Sequence, residues 1–434
     1  MSQPATGDQC PASDFGLRTS NFRLQTSDFM HHEYHNNKSL YLTPEKNIDV
    51  NLNQLRNTMN KTLRLIVLLL LAGTLAYSQE TGYTFTMKKE LACTPVKNQN
   101  ATSTCWCFSG ISMFESELLR MGKPVYDLSE MYIVRHTYEK KADMFARMHG
   151  SSSFSGGGEY GDLLSGATEA GLVPDVVYPG LNYGETKHNH GEMDGVLKGY
   201  MEALVKSPKL TTAWFAGING ILDAYLGKMP ATFTYEGKSY SPASFMKELG
   251  LNPSDYVVIT SFSHHPFYKQ FVLEIPDNWA AGYFYNLPLD EMMQVIENSV
   301  NNGYTVAWAS DMSDRGFSMK EGVAIIPEKN WTDMTDAERL SAFSGPHPEK
   351  VITQELRQKE FDNYATTDDH GMHIVGIATD QSGTSYYKVK NSWGITGKYD
   401  GFIYVSKPFV ALRTTNIMVN KAAIPASIAK KMGL

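Results

Sequence analysis

The sequence has few cysteines, no excess of basic charge and no apolar run long enough to cross a membrane. Four cysteines in 434 residues are too few for a disulfide scaffold. The formal net charge of -7 argues against a nucleic-acid partner. The apolar run from Leu65 to Ala76 has 12 residues, whereas a spanning helix needs about 20. With 42% hydrophobic and 20% charged residues, the composition is that of a globular protein with a sizeable core.

That short apolar run predicts a secretory signal peptide over residues 59–78. Lys61 and Arg64 form a basic start, and a small-x-small cleavage site ends the segment. Residues 1–58 are polar and aperiodic, and we interpret them as a leader from a mis-called start. The alternative is a true extension followed by an internal signal anchor. The favoured interpretation predicts a mature chain of 79–434 that is periplasmic or secreted, without stable membrane insertion.

The cysteines of the mature chain indicate a free thiol. Three cysteines, Cys93, Cys105 and Cys107, are an odd number, so at least one thiol stays free. Cys105 and Cys107 are too close in sequence for an ordinary disulfide, which leaves Cys93 with Cys107 as an optional pairing. Helical spacing of apolar residues after Trp106 places Cys105 at a helix start, where backbone N–H groups and the helix dipole lower a thiol pKa. Cys107 points about 200° away around the helix. Cys105 is therefore the candidate nucleophile, with a small buried apolar residue as the alternative.

The sequence has twelve histidines, so the general base has to be chosen by its predicted position in the fold. Two strand-like runs flank the turn-forming DQSG at 380–383, which predicts an antiparallel hairpin. In that hairpin His370 lies across from Asn391, whose side-chain carbonyl accepts from one ring nitrogen and leaves the other for the thiol. His373 is the competing base, but it projects to the opposite face of the strand.

Gln99 completes the predicted site. It lies six residues before Cys105, so its side-chain amide and the Cys105 backbone N–H are able to converge on one point. Two donors there stabilise the oxyanion of a tetrahedral intermediate. The alternative is an ordinary surface glutamine in a loop.

These residues together resemble the signature of the papain-like cysteine peptidases. The resemblance rests on three blocks in chain order: Gln99 with Cys105-Trp106-x-Phe108-Ser109, His370 at a strand start, and Asn391-Ser392-Trp393-Gly394. It implies an α+β fold with two lobes, a helical one carrying the nucleophile and a β-rich one carrying His370 and Asn391. It also implies peptide substrates and a thioester mechanism that needs no cofactor. Trp393 is then expected to shield the His370–Asn391 bond, and Trp106 to help bind substrate.

The spacing departs from papain-type enzymes. His370 follows Cys105 by 265 residues, against roughly 130 to 150 in those enzymes. More than 100 residues are therefore inserted, and we place a mostly helical insertion at about 176–300. This length points to the branch of bleomycin hydrolase and aminopeptidase C, which the stretches 156–174, 303–322 and 370–378 also resemble.

The branch resemblance implies an aminopeptidase whose C-terminal tail blocks one end of the cleft. Here the tail is 420–434, and the carboxylate of Leu434 is expected to pair with a substrate's α-amine. Gly157 and Gly158 are expected to form part of the cleft wall. Members of the branch are typically cytosolic hexamers, so the resemblance implies a homo-oligomer, whereas the signal peptide implies export.

Other functions fit the sequence less well. The histidine-containing segments 187–194 and 263–267 lack a third ligand at metal-binding spacing, so no metal site is predicted and solvated loops are expected. The same chemistry would give an endopeptidase if the tail did not fill the cleft. A non-catalytic peptide-binding protein on a peptidase scaffold is the third alternative, and the complete set of Gln99, Cys105, His370 and Asn391 argues against it.

Overall fold

The computed structural model describes residues 82–434, so the leader 1–58 and the signal peptide 59–78 lie outside the described residues. The predicted α+β class is confirmed. The helices are α1 (Cys105–Arg120), α2 (Glu130–Arg147), α3 (Tyr160–Ala170), α4 (Gly191–Leu204), α5 (Ala213–Leu226), α6 (Pro242–Leu249), α7 (Leu289–Asn301), α8 (Asp336–Ser341), α9 (Gln354–Asp362), α10 (Lys407–Arg413) and α11 (Ala426–Met432). No helix among residues 82–434 is long and apolar enough to cross a membrane.

The strands dominate the second half of the described chain. They are β1 (Phe85–Glu90), β2 (Phe233–Tyr235), β3 (Lys238–Tyr240), β4 (Tyr256–Thr260), β5 (Gln270–Val272), β6 (Tyr283–Asn286), β7 (Val306–Ser310), β8 (Phe317–Ser318), β9 (Val323–Ala324), β10 (His370–Asp380), β11 (Ser385–Lys390), β12 (Phe402–Ser406) and β13 (Thr414–Asn420). All but β2 and β3 join one sheet, in the order β5-β6-β4-β13-β7-β10-β11-β12-β9-β8. The eleventh strand of that sheet, β1, pairs with the second half of β10.

The two predicted lobes correspond to two buried clusters. One cluster packs the helices α1 to α6 around residues such as Ile111, Leu118 and Leu163. The other packs α7, α10 and α11 against the sheet around Trp308 and Val389. Because α1 is buried from Trp106 to Leu118, it is an interior helix rather than an amphipathic surface helix.

The predicted insertion at 176–300 is helical only in part. Helices α4, α5 and α6 lie within 191–249, and the β2–β3 hairpin lies between α5 and α6. Beyond them, β4 pairs with β13, with Ile259 opposite Ile417. Strands β5 and β6 then extend the sheet from β4. The second part of the segment is therefore an edge of the main sheet.

The C-terminal tail packs away from the predicted cleft. Residues Ile428 and Met432 of α11 are 2% and 6% exposed and belong to the cluster that also contains Met292 of α7. The Lys431 ammonium lies 2.5 Å from a carboxylate oxygen of Glu291, also on α7. Leu434 is 41% exposed. Apolar contacts and an ion pair thus hold the tail on α7.

Candidate active site

Cys105 is the first residue of α1, as predicted. Thr104 stands at the N-cap but makes no side-chain hydrogen bond to the helix. Strand β10 crosses the start of this helix closely, because a Cβ built on Gly371 would lie 3.2 Å from the carbonyl oxygen of Cys105 and 2.8 Å from Ser109 Oγ. The absence of a side chain at Gly371 therefore sets how near His370 comes to the thiol.

The predicted pairing of His370 with Asn391 is present as a side-chain contact. His370 Nε2 lies 2.7 Å from Asn391 Oδ1, and the same oxygen accepts from the Ser392 backbone N–H at 2.7 Å. Since that N–H is an obligate donor, Oδ1 is the acceptor and His370 Nε2 carries the proton. The Nδ1 lone pair of His370 is then free to receive a proton from a thiol.

The predicted strand register was wrong. The ladder pairs His373 with Lys390 and Ile374 with Val389, with a β-bulge between Ile374 and Gly376. The pairs next to the turn, such as Thr379 with Ser385, already differ from the predicted register, and the bulge corrects the difference only in part, so Asn391 is not the cross-strand neighbour of His370. Asn391 follows the last residue of β11, and its side chain reaches His370 from beyond the strand end.

His373 lies on the other face of β10, as predicted. Its Nδ1 is 2.9 Å from Ser112 Oγ of α1, and the residue is 1% exposed. Ser112 Oγ also accepts from the Lys390 ammonium at 2.8 Å. His373 thus belongs to a polar contact between helix and sheet, away from the groove.

Gln99 is tied to the Asn391 side of the site. Its Oε1 accepts from Ser392 Oγ at 2.6 Å, and its Nε2 donates to the Thr102 carbonyl at 2.9 Å. Trp393 lies over the imidazole, with ring centroids 4.8 Å apart. The ring therefore covers one face of His370, beside the bond to Asn391.

The environment of the thiol differs from the prediction. Burial raises the pKa of Cys105 to about 12, and the negative charges of Asp368 and Asp277 add to this. The backbone N–H groups of Gly371 and Trp106 act in the opposite direction. The N–H group of Trp106 at the helix start lowers the pKa of the thiol, as predicted, but burial outweighs this effect.

His370 is also neutral in this arrangement. Burial lowers the pKa of His370 to about 4, and the bond to Asn391 offsets part of the effect. At neutral pH the resting pair is therefore a thiol and an imidazole. Charge separation between Cys105 and His370 has to be stabilised by something that enters the groove.

A groove of about 470 Å³ brings the predicted residues together. Cys105, His370, Gln99, Trp393 and Gly157 all line it. Its remaining lining is Asn100, Thr102, Ser103, Ser155, Asp277, Met312, Ser313, Asp368 and Asp369. The candidate nucleophile, the candidate base and a peptide-sized space are thus adjacent.

Three predicted substrate contacts do not line this groove. Trp106 is 4% exposed, and its Nε1 donates to the Gly156 carbonyl at 3.1 Å. Gly158 is buried against Trp106, since a Cβ there would lie 3.0 Å from the indole. Both residues support the wall from behind. Leu434 belongs to the tail packed on α7, so the predicted role of its carboxylate in the cleft was wrong.

The optional bridge between Cys93 and Cys107 is absent, since both are free thiols. Cys107 is fully buried, and its Sγ donates to the Glu130 carbonyl at 3.3 Å. It is the packing residue that the helical spacing predicted.

The histidines of segment 263–267 have a third partner, Glu274, that the sequence analysis did not predict. His264 Nε2 and His265 Nε2 lie 3.0 and 2.7 Å from the carboxylate oxygens of Glu274. However, the Gln358 side-chain N–H₂ donates to His264 Nδ1, which leaves the proton on Nε2. A donor facing Glu274 is a hydrogen-bonding arrangement, not a metal-ligating one.

Asp277 and Asp368 are groove residues that sequence reasoning missed. They lie 172 and 263 residues after Cys105 in the chain and share no motif with it. Asp368 stands two residues before His370, and this adjacency was the one available signal.

The fold is papain-like, and the chain is similar in sequence to cysteine peptidases of this type. The model of the Peptidase C1-like family matches residues 218–433, which include His370 and Asn391. Aminopeptidase C of Lactobacillus delbrueckii subsp. lactis is 24% identical over 80% of this chain and 83% of its own. Aminopeptidase W of the same organism is 24% identical over 88% of this chain and 92% of its own. These relatives confirm the predicted resemblance to the bleomycin hydrolase and aminopeptidase C branch.

A solved structure shares the fold. PepW from Lactobacillus rhamnosis HN001 superposes with a TM-score of 0.65 at 18% identity, covering 89% of this chain and 95% of that chain. The papain-like architecture predicted from three short blocks is therefore confirmed.

Proposed function

We propose that this peptidase removes N-terminal residues from peptides by a Cys105–His370–Asn391 mechanism. The observation that carries the mechanism is the hydrogen bond from His370 Nε2 to Asn391 Oδ1, which leaves Nδ1 as the base within the groove that Cys105 lines. The names of the aminopeptidase relatives support the choice of N-terminal residues.

The residues perform acyl transfer in two stages. His370 Nδ1 takes the Cys105 proton, and the thiolate attacks the carbonyl carbon to give a tetrahedral intermediate. The Cys105 backbone N–H and the Gln99 amide donate to its oxyanion. His370 protonates the leaving amine as the thioester forms, and then takes a proton from the water that hydrolyses it. Asn391 holds the imidazole in one tautomer throughout.

The second candidate is an endopeptidase with the same chemistry. It is favoured by the position of the tail, because α11 packs on α7 and no residue of 420–434 lines the groove. A groove without a blocking tail accommodates chain on both sides of the scissile bond.

One peptide in two forms separates these functions. The full chain is incubated under reducing conditions with a peptide whose N-terminus is either free or acetylated, and products are identified by mass spectrometry. Stepwise loss of residues from the free form alone is expected. Internal cleavage of both forms would replace the aminopeptidase proposal by the endopeptidase. If neither form is cleaved and Cys105 resists a thiol-directed peptidase inhibitor, the chain is a peptide-binding scaffold.

We also propose that the enzyme is exported and that the signal peptide 59–78 is removed. The proposal rests on the basic start, the apolar run and the small-x-small site. N-terminal sequencing of the protein recovered outside the cytoplasm is expected to begin at Gln79. A mature protein that begins at Met1 would contradict it. The hexamer implied by the branch is tested on the same material by light scattering.

A further inference from the structure

We propose that Asp368 and Asp277 hold the α-ammonium group of the substrate beside Cys105. The inference rests on the proposed aminopeptidase function and names the groups that recognise the free N-terminus. It assigns to two groove aspartates the role that the branch resemblance gave to the carboxylate of Leu434.

Both carboxylates are in the groove and form no direct ion pair among the described residues. Asp277 and Asp368 are half-buried and line the groove with Cys105. No Lys, Arg or His among residues 82–434 forms an ion pair with either one. Asp277 faces Gly157 so closely that a Cβ on Gly157 would lie 2.0 Å from Asp277 Oδ2. Burial raises the pKa of Asp277, and the positive charge of Lys141 offsets this in part. The Lys141 ammonium donates to the Ser155 and Gly157 carbonyls instead. Partly desolvated carboxylates without a directly bonded cation attract one from solution.

A buried side chain with an unmet hydrogen-bonding atom supports Asp368 from below. Glu159 is 3% exposed, and its Oε2 accepts from Asn416 Nδ2 at 2.7 Å. Its Oε1 receives no hydrogen bond, and the Glu159 carboxyl contacts that of Asp368. The adjacent Asn416 Oδ1 is also buried without a donor. The Glu159 and Asp368 carboxyls share a hydrogen bond, and the two buried oxygens, Glu159 Oε1 and Asn416 Oδ1, still lack an N–H donor. Such surroundings suit a group with several N–H bonds.

The chemistry favours an ammonium group over a metal ion. Among the described residues, no three carboxylate, histidine or cysteine groups of the groove bring ligand atoms within 4.8 Å of one another. The nearby Asp369 is already occupied, since its two oxygens accept from the backbone N–H groups of Met312 and Ser313 at 3.0 Å each. Asp368 accepts a hydrogen bond from Thr415 Oγ1 at 3.2 Å, and the remaining lone pairs of its carboxylate and of the Asp277 carboxylate are available to a small organic cation.

The position suits an N-terminal residue whose own carbonyl is attacked. The α-nitrogen and the carbonyl carbon of one residue are about 2.5 Å apart, so the ammonium must bind next to the thiol. Asp368 and Asp277 are the charged groups that act most strongly on the Cys105 thiol. An ammonium between them offsets their charge, and the Cys105 thiolate then forms more readily. The free N-terminus thereby activates the nucleophile that cleaves it.

The test compares free and acetylated substrates across matched variants of the full chain. Asp368→Asn and Asp277→Asn keep the side-chain shape and remove the charge. Asp255→Asn is the control, because Asp255 is exposed and does not line the groove. The measured quantity is the ratio of kcat/KM for a free-amine peptide to that for its acetylated form. We expect the double variant to lower this ratio by about 30-fold or more, mainly through the free form, and the control to leave it unchanged.

A second measurement does not require turnover. Alkylation of Cys105 by neutral iodoacetamide is followed with leucinamide or N-acetylleucinamide as the protecting ligand. We expect leucinamide alone to protect the wild type, and neither compound to protect the double variant. Unchanged protection and an unchanged ratio in the double variant would overturn this inference while leaving the aminopeptidase intact. A wild type that cleaves both peptide forms equally would overturn both.

Discussion

The position of the C-terminal tail gives a prediction that separates packing from catalysis. In the branch that this chain resembles, the tail occupies the cleft, whereas here Ile428 is 2% exposed against α7 and the sheet. Replacing Ile428 by Ala is therefore expected to destabilise the fold without changing which peptides are cleaved. Removing Leu434, which is 41% exposed, is expected to change neither property.

The magnitude follows from the buried side chain. Truncating a buried Ile to Ala costs about 2 to 5 kcal/mol. With an unfolding entropy of about 2.1 cal/mol/K per residue over the described residues 82–434, this loss lowers Tm by about 3 to 7 °C. The Lys431–Glu291 ion pair contributes less, because solvent screens the charge of the exposed Lys431.

Differential scanning calorimetry and product analysis test this together. Ile428→Ala is expected to lower Tm by the stated amount while the ratio of free to acetylated peptide cleavage stays that of the wild type. Lys430→Ala, on the same helix, serves as a matched control with little effect on Tm. If removal of Leu434 alone opened the enzyme to acetylated peptides, the tail would act in the groove and the packing argument would be refuted.

Three further predictions concern the groove itself. Cys105→Ala is expected to abolish labelling by a thiol-directed peptidase inhibitor. Cys107→Ala is expected to keep the labelling and to lower Tm by a few degrees, because Cys107 is fully buried. Labelling that persists in Cys105→Ala would show that Cys105 is not the nucleophile. Gly371→Ala is expected to lower kcat at least tenfold, since its Cβ would press on the Cys105 carbonyl at 3.2 Å, and wild-type kcat in this variant would contradict the close approach. Burial lowers the pKa of His370 to about 4, below the ordinary value of about 6.5, so the folded state disfavours the charged ring. The stability that this neutral histidine contributes is present above about pH 6.5 and is lost as the pH falls through about 4, up to about 3 kcal/mol. Urea titrations from pH 7 to 4 are expected to show a shallower loss in His370→Gln than in the wild type, and equal slopes would contradict the assignment.

The sequence by itself determined the features that depend on local structure. The spacing of apolar residues predicted that Cys105 begins a helix and that the Cys107 side chain points into the core, because a helix has a fixed angle per residue. Alternation along β10 separated His370 from His373, because successive side chains of a strand point to opposite faces. The DQSG turn brought Asn391 near His370. Each of these inferences spans one element or one hairpin.

Only the tertiary structure decided the features that join distant segments. The hairpin register was decided at the turn, where Thr379 pairs with Ser385, and by the bulge between Ile374 and Gly376, and the sequence pattern predicted neither. Asp277 and Asp368 reached the groove from different parts of the chain, and their charges and the burial of the thiol reversed the expected pKa shift of Cys105. The apolar face of α11 is equally compatible with a cleft and with α7. Helical period and strand alternation determine which face of an element is apolar, whereas the surface it covers depends on every other element that competes for burial.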